Sequence, residues 1–340
     1  MSLSRRVLAG SIASAALIAS WTVSCTVALA QTVELKVSHY LPPNHTFQKE
    51  LTRWGDELTE KSGGRLKLNI FPASQLGPVN RQFDLARSGV ADIAVGLHGA
   101  TPGRYPTTEL VSLPYVHPKA GDNSAVTSKR LTELAPEYLA AEHNGLKILW
   151  MAVTNPLMFH TANKKIATAA DFKGLRIRYA GEQFAQIIPA LGAVPLPVPP
   201  AETQDGLAKG IIDGATFPYE ATQSFDLGTV VKYSLEPGVS TATFAVVMNP
   251  AKYNALPDDL KKLIDTTTGP ARAEAFGKVF DEGEKHGRQY MLDKKVEITK
   301  LSDAELANIR KTLAPIVEKA TSALEKEGKP GAKFLEAYQR

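Results

Sequence analysis

Residues 171–218 read DFKGLRIRYAGEQFAQIIPALGAVPLPVPPAETQDGLAKGIIDGATFP. A short apolar strand ends at Arg178. A helix follows, then a second strand over 193–198, a second helix, and a third strand that begins within 211–217. Strands alternating with helices at this spacing predict an α/β unit. Open α/β sheets gather ligands outside the carboxyl ends of their strands. An arginine at such an end is placed to anchor a carboxylate, because its planar fork donates two parallel hydrogen bonds. A surface salt bridge fits the same residue, and spacing alone does not separate the two.

The pattern continues upstream. Residues 33–37 alternate as a strand that ends at Ser38-His39-Tyr40, and 41–44 is a turn. A helix over 46–61 stops at Gly63-Gly64, and 66–71 alternates again. A helix over 80–88 ends at Gly89, and 92–96 is a third strand. This β-α-β-α-β order predicts a doubly wound, mainly parallel sheet. Downstream come a helix over about 125–142, an apolar strand at 146–153, a second α/β unit over about 156–242 and a strand at 243–248. Residues 258–292 are helical, punctuated by Gly269-Pro270. A terminal helix spans 302–327, with Ser302 and Glu305 forming a capping box. The length predicts two domains. No low-complexity linker separates them, so they share strands or helices.

The first thirty residues read as a signal peptide. Arg5 and Arg6 form its positive region, an apolar run follows, and Ala28-Leu29-Ala30 is a cleavage site. Ser4-Arg5-Arg6-Val7-Leu8 resembles a twin-arginine signal only faintly, and Sec export is the expectation. Cys25, the only cysteine, sits in a poor lipobox. Cleavage after Ala30 leaves 310 of the 340 residues and no cysteine, which excludes disulfides, a thiolate nucleophile and Cys-based metal sites. Loss of Arg5 and Arg6 lowers the formal charge from +4 to +2. No basic cluster suggests nucleic acid or a membrane surface. Nothing points to a cofactor or a metal, and a monomer is the default.

Strand ends supply the candidate ligand-binding residues: His39, Tyr40, His98, Trp150, His160, Arg178, Tyr179, Phe217 and Tyr219. Each has a plainer reading. Trp150, between Leu149 and Met151, fits the core. His39 and His98 fit hydrogen-bonded loop positions, and His160 in an apolar strand fits a satisfied structural histidine. Asn155 before Pro156 fits a turn, and Arg104 fits an ion pair.

Several motifs stand in one order: Asp171-Phe172-Lys173-Gly174-Leu175-Arg176-Ile177-Arg178, then Ala190-Leu191-Gly192-Ala193-Val194-Pro195-Leu196-Pro197, then Leu207-Ala208-Lys209-Gly210-Ile211-Ile212-Asp213-Gly214. Ser62-Gly63-Gly64-Arg65 and Gln75-Leu76-Gly77 precede them, and Met248-Asn249 and Leu256-Pro257 follow. This series resembles the solute-binding subunits of tripartite ATP-independent periplasmic (TRAP) transporters over nearly the whole exported chain. The resemblance implies two α/β lobes joined by long crossing strands and a long helix, with a ligand cleft between them. Lobe I would comprise 31–154 plus about 243–283, and lobe II 155–242 plus about 284–340. It also implies a periplasmic location, membrane permease subunits as partners, and Arg178 as the arginine that pairs with a substrate carboxylate.

Two departures from the family pattern shape the expected ligand. Asp213-Gly214-Ala215-Thr216-Phe217-Pro218 puts Phe217 where dicarboxylate and sialic acid binders have asparagine. The stretch Asn155-Pro156-Leu157-Met158-Phe159-His160 lacks the second arginine that many members carry. One carboxylate keeps a partner at Arg178, whereas a second would be buried unpaired, at a cost of several kcal/mol. An aromatic ring could stack on Phe217 or Tyr219. The expected ligand is an aromatic or apolar monocarboxylate; a small dicarboxylate or oxo acid is the alternative. An exported enzyme is the rival class, but no G-x-S-x-G, H-E-x-x-H or Cys/His nucleophile pair stands in the chain, and no Walker motif.

Overall fold

Eleven strands build two sheets in the computed structural model, which describes residues 32–116, 123–179 and 181–340. The expected signal peptide lies outside the described residues. The strands are β1 (Val33–Ser38), β2 (Leu66–Phe71), β3 (Ile93–Leu97), β4 (Lys147–Val153), β5 (Leu157–Thr161) and β6 (Arg176–Arg178), followed by β7 (Val194–Leu196), β8 (Gly214–Phe217), β9 (Tyr233–Ser240), β10 (Thr243–Met248) and β11 (Glu297–Lys300). The first sheet has the order β2-β1-β3-β10-β4 and the second β11-β9-β5-β8-β6-β7.

Parallel pairing holds through β2-β1-β3 and through β8-β6-β7. It ends at β10, which runs antiparallel to both β3 and β4. The mainly parallel expectation is corrected there, because the chain returns from the second sheet along β10 rather than through a helix. β4 continues into β5, and β9 into β10, so two strands cross together from sheet to sheet. The crossing stays paired: Thr154 N–H donates to Ala242 O (3.0 Å), and Ala242 N–H to Thr154 Oγ1 (2.9 Å). These two crossing strands account for the expected sharing of elements.

A 24-residue helix, Pro270–Asp293, packs against both halves. At about 1.5 Å per residue it spans roughly 36 Å. Gly277 lets Ser124–Leu134, a helix packed on β4, come close; a Cβ there would fall 2.4 Å from Ala125 Cα. Gly287 does the same for the short helix Tyr219–Thr222 that follows β8; its Cβ would fall 1.8 Å from Tyr219 O. Between these glycines, two carboxylates one turn apart cap the two partner helices. Asp281 accepts from Ser124 N–H (2.9 Å) and Ala125 N–H (3.2 Å), and Glu284 from Glu220 N–H (2.9 Å). Carboxylates at helix N-termini satisfy orphan donors and complement the dipole.

Other readings are corrected locally. The helix expected over 125–142 ends at Leu134 and passes into a π-helical turn, Ala135–Leu139, where Pro136 has no N–H to continue the ladder. Ser302 Oγ caps its helix by accepting from Glu305 N–H (3.2 Å), but the box is not closed: the Glu305 carboxylate accepts from Ala169 N–H instead (2.8 Å). That helix, Asp303–Lys326, is not terminal, because Gly331–Gln339 follows and buries Phe334 and Tyr338.

An alanine in a helix interior normally gains about 0.5–1 kcal/mol over glycine. At position 287 the clash should dominate, so Gly287→Ala is expected to lose about 1–3 kcal/mol, read from the urea unfolding midpoint. A midpoint that rises would contradict this packing.

Candidate functional site

A small cavity of about 40 Å³ is lined by residues from both sheets and the long helix. Tyr40 and Leu41 enter it just beyond β1, Leu97 at the end of β3, Arg178 at the end of β6, and Thr216 and Phe217 at the end of β8. All are carboxyl ends, where α/β sheets leave backbone room for a ligand. Thr154 and Ala242, the crossing pair, also line it. Aromatic walls come from both sheets and the long helix: Phe217 and Phe225 on one side, Phe244 and Phe280 on the other.

Arg178 is 1% exposed. Its Nε–H donates to Val198 O (3.0 Å) and Nη1–H to Thr216 O (3.2 Å). Its guanidinium carbon sits 4.2 Å from the centroid of the Phe217 ring, a cation–π distance. Two of five N–H donors are thereby used. No carboxylate lies within ion-pair distance among the described residues. Burial lowers its pKa to about 9, with Tyr40 pulling the other way, and the group is still a cation at neutral pH. Arg176, two residues earlier, differs. It forms a two-point pair with Asp213 (2.9 and 2.7 Å) at the surface. The salt-bridge reading therefore fits Arg176, and the buried, unpaired one Arg178.

Phe217 is held from behind. His160 Nε2 lies 3.0 Å from Phe217 O, and its Nδ1 lies 2.8 Å from Ser234 Oγ. A carbonyl only accepts, so Nε2 carries the proton and Nδ1 accepts from the serine. Burial lowers the His160 pKa to about 4, which keeps the ring neutral.

Of the other residues singled out, Tyr40 lines the cavity and the rest stand elsewhere. Tyr219 is buried behind the wall, with its ring edge-on to His160 at 5.6 Å. His39 bonds Gln48 through Nε2 (2.8 Å). His98 is fully buried against Thr243 O (2.9 Å) and His143 Nε2 (3.0 Å). Trp150 packs edge-to-face on Trp54 at 5.2 Å in the hydrophobic core. Tyr179 is half-buried and joins β7 through its N–H to Leu196 O (3.3 Å). Asn155 donates to Asp281 (3.0 Å), and Arg104 pairs with Asp84 (3.1 and 2.9 Å).

Three features had no sequence signal strong enough to single them out. Glu220, beside Phe217 in Phe-Pro-Tyr-Glu, lines the cavity, and burial raises its pKa to about 7. His45 lines it too, caps the helix Thr46–Lys61 by accepting from Phe47 N–H (3.2 Å), and is kept neutral by burial, with its pKa lowered to about 3. The turns after β3 and β6 touch across the cleft: a Cβ on Gly99 would fall 2.2 Å from Gly181 Cα, and Gly103 N–H donates to Glu182 (2.9 Å). Among the described residues no group of His, Cys, Asp or Glu is placed to hold a metal, and no helix is long and apolar enough to cross a membrane.

Comparison with known proteins points the same way. The family model for bacterial extracellular solute-binding protein, family 7, matches residues 37–323. A TRAP solute-binding protein from Rhodoferax ferrireducens, solved with copurified benzoate, is 32% identical, covers 91% of this chain and 97% of its own, and superposes with a TM-score of 0.85. A marine metagenome TRAP protein solved with 3-hydroxybenzoate is 30% identical over 91% of this chain and 97% of its own, with a TM-score of 0.86. The C4-dicarboxylate-binding periplasmic protein DctP of Rhodobacter capsulatus is 25% identical over 92% of this chain and 93% of that protein. The chain is therefore a solute-binding transport component and not an enzyme: it belongs to the bacterial extracellular solute-binding protein family 7, the solute-binding subunits of TRAP transporters.

Proposed function

We propose that this protein captures an aromatic or apolar monocarboxylate in the periplasm and delivers it to TRAP permease subunits in the membrane. The observation that carries the reading is the buried Arg178 cation with no counter-ion among the described residues. A ligand carboxylate supplies the missing charge by accepting from the free N–H groups, with the Tyr40 hydroxyl alongside. The ring of the ligand then lies among Phe217, Phe225, Phe244 and Phe280, where each good aromatic pair contributes about 0.5–1.5 kcal/mol. Among the described residues Arg178 is the one Lys or Arg lining the cavity, and His45 is neutral. A second carboxylate would be buried without a cation, which argues against the small dicarboxylates. The relatives solved with benzoate and 3-hydroxybenzoate support the same ligand class.

Binding works by closure. Residues 31–154 with about 243–283 form one lobe, and 155–242 with about 284–340 the other, moving about the paired crossing strands. Closure expels water, and the falling dielectric strengthens the ion pair. The signal peptide is removed after Ala30, and the exported protein works as a monomer.

In a thermal-shift and calorimetric screen, benzoate, cinnamate and their analogues should stabilise the protein, whereas succinate, malate and fumarate should not. Arg178→Ala should weaken the best ligand by about 3–5 kcal/mol. Stabilisation by the dicarboxylates alone would refute the ligand class, and unchanged affinity in Arg178→Ala would refute the anchor. Gly99→Val should block the Gly99–Gly181 approach, leave the ligand-free protein folded, and weaken binding by about tenfold or more, as the closed state becomes a minor species. Scattering should then show no ligand-induced contraction. Wild-type affinity in this variant would contradict closure at that contact.

A further inference from the structure

A buried chain of polar groups ends in the gap where the turns after β3 and β6 meet. Glu109, in the turn Thr108–Ser112, lines that gap with Gly99, Thr243, Gly181 and Gln183, and is 4% exposed. Its Oε1 lies 3.4 Å from Thr243 Oγ1, and Thr243 Oγ1 lies 3.1 Å from His98 Nδ1. His98 Nε2 lies 3.0 Å from His143 Nε2, and His143 Nδ1 lies 2.9 Å from Leu139 O. All four side chains are buried.

The carbonyl fixes every proton along this chain. It only accepts, so a neutral His143 donates through Nδ1 and accepts at Nε2. His98 then donates through Nε2 and accepts at Nδ1 from the Thr243 hydroxyl. That uses the threonine proton, so Thr243 Oγ1 accepts on its other side, and the donor there is a protonated Glu109. Thr243 O stands 2.9 Å from the same Nδ1 of His98. A proton directed there would leave the two Nε2 lone pairs facing each other at 3.0 Å. The gap makes the same demand: Glu109 Oε2 and Gln183 Oε1 line it as buried acceptors with no partner among the described residues.

The surrounding charges favour that state. Glu142 accepts from Thr108 N–H (3.1 Å), one residue before Glu109, and Glu182, between Gly181 and Gln183, accepts from Gly103 N–H (2.9 Å). β10 presents Thr243, and the turn after β3 presents His98 with Tyr105 edge-on to it at 5.0 Å. The helices Asp303–Lys326 and Gly331–Gln339 pack Leu324 and Phe334 into the cluster around Leu110. Burial, then Glu182, raises the Glu109 pKa to about 8, with Glu142 adding to the rise and the Thr243 hydroxyl opposing it. Burial lowers the pKa of both His98 and His143, so the rings stay neutral.

We infer that closure of the cleft takes up one proton, held by Glu109. This rests on the closure described under the proposed function and not on the ligand class. Gly181 and Gln183 cover Glu109 from the side of the second sheet. When the halves part, water reaches the carboxyl and Glu182 moves away, so the group returns toward its ordinary value of 4.5. The raised value belongs to the closed form, so protons favour closure. Affinity is greatest below the open-form value and falls by up to about tenfold per pH unit as the pH rises toward the closed-form value.

Calorimetry of the exported protein with benzoate and with succinate, in buffers of low and high ionisation enthalpy, counts the protons taken up per ligand bound. At about pH 6.5 the wild type should take up about one. Glu109→Gln keeps the shape and supplies a permanent donor; it should take up about one fewer and lose the fall in affinity between about pH 6 and 8. Glu109→Ala reads the same difference should the glutamine variant not fold. No uptake in the wild type would overturn the inference. So would an uptake that persists in Glu109→Gln, which would place the proton on Glu220 or Glu284, carboxyls that burial also raises. Both results leave the ligand class standing. Binding of succinate alone would overturn the ligand class, and the proton count with succinate would still decide the role of Glu109.

Discussion

The structure depends on a positive charge buried without a negative one. Removing a guanidinium from water is costly, and the protein offsets that cost only in part. Two backbone carbonyls and one aromatic face meet Arg178, and no described carboxylate does. These partners fix the direction of the fork without neutralising it. Neighbouring elements hold this arrangement: β8 supplies Thr216 O and the Phe217 ring, and His160, bonded to Phe217 O, keeps that ring in place. Under the proposed function an organic acid would complete a site that the fold leaves electrically unfinished.

The surrounding architecture explains how such a site can open. Both crossing strands pass the cavity at Thr154 and Ala242, so the proposed closure about them would act directly at the cavity wall. The helix Pro270–Asp293 packs beside that crossing. Its glycines accept one helix from each half at near-contact distance, and Asp281 and Glu284 cap those helices. A rigid rod joined to both halves, with a paired two-strand crossing beside it, favours hinge motion over sliding.

Much of the fold was legible because its signals are local. The helix Thr46–Lys61 and the strands Leu66–Phe71 and Thr243–Met248 match their sequence patterns end to end, since amphipathic period and glycine stops are written in adjacent residues. The antiparallel insertion of β10 between β3 and β4 was not legible, because it is set by where the chain re-enters the first sheet. Within the site, Arg178 and Phe217 stand out in the motif they share, and they meet in one cavity with Tyr40. His39 and His98 also end or flank strands and Trp150 lies within one, but their partners come from Gln48, His143 and Trp54, and no local pattern announces those pairings. Glu220 escaped notice because an acidic residue in a short helix looks solvated until tertiary packing buries it.

A crystal structure of the protein grown with benzoate would test the Arg178 anchor most directly. The expected result is a carboxylate with both oxygens at about 2.7–2.9 Å from the Arg178 guanidinium nitrogens, its ring enclosed by the phenylalanine walls. A benzoate bound with its carboxylate turned away from Arg178, or bound outside this cavity, would contradict it.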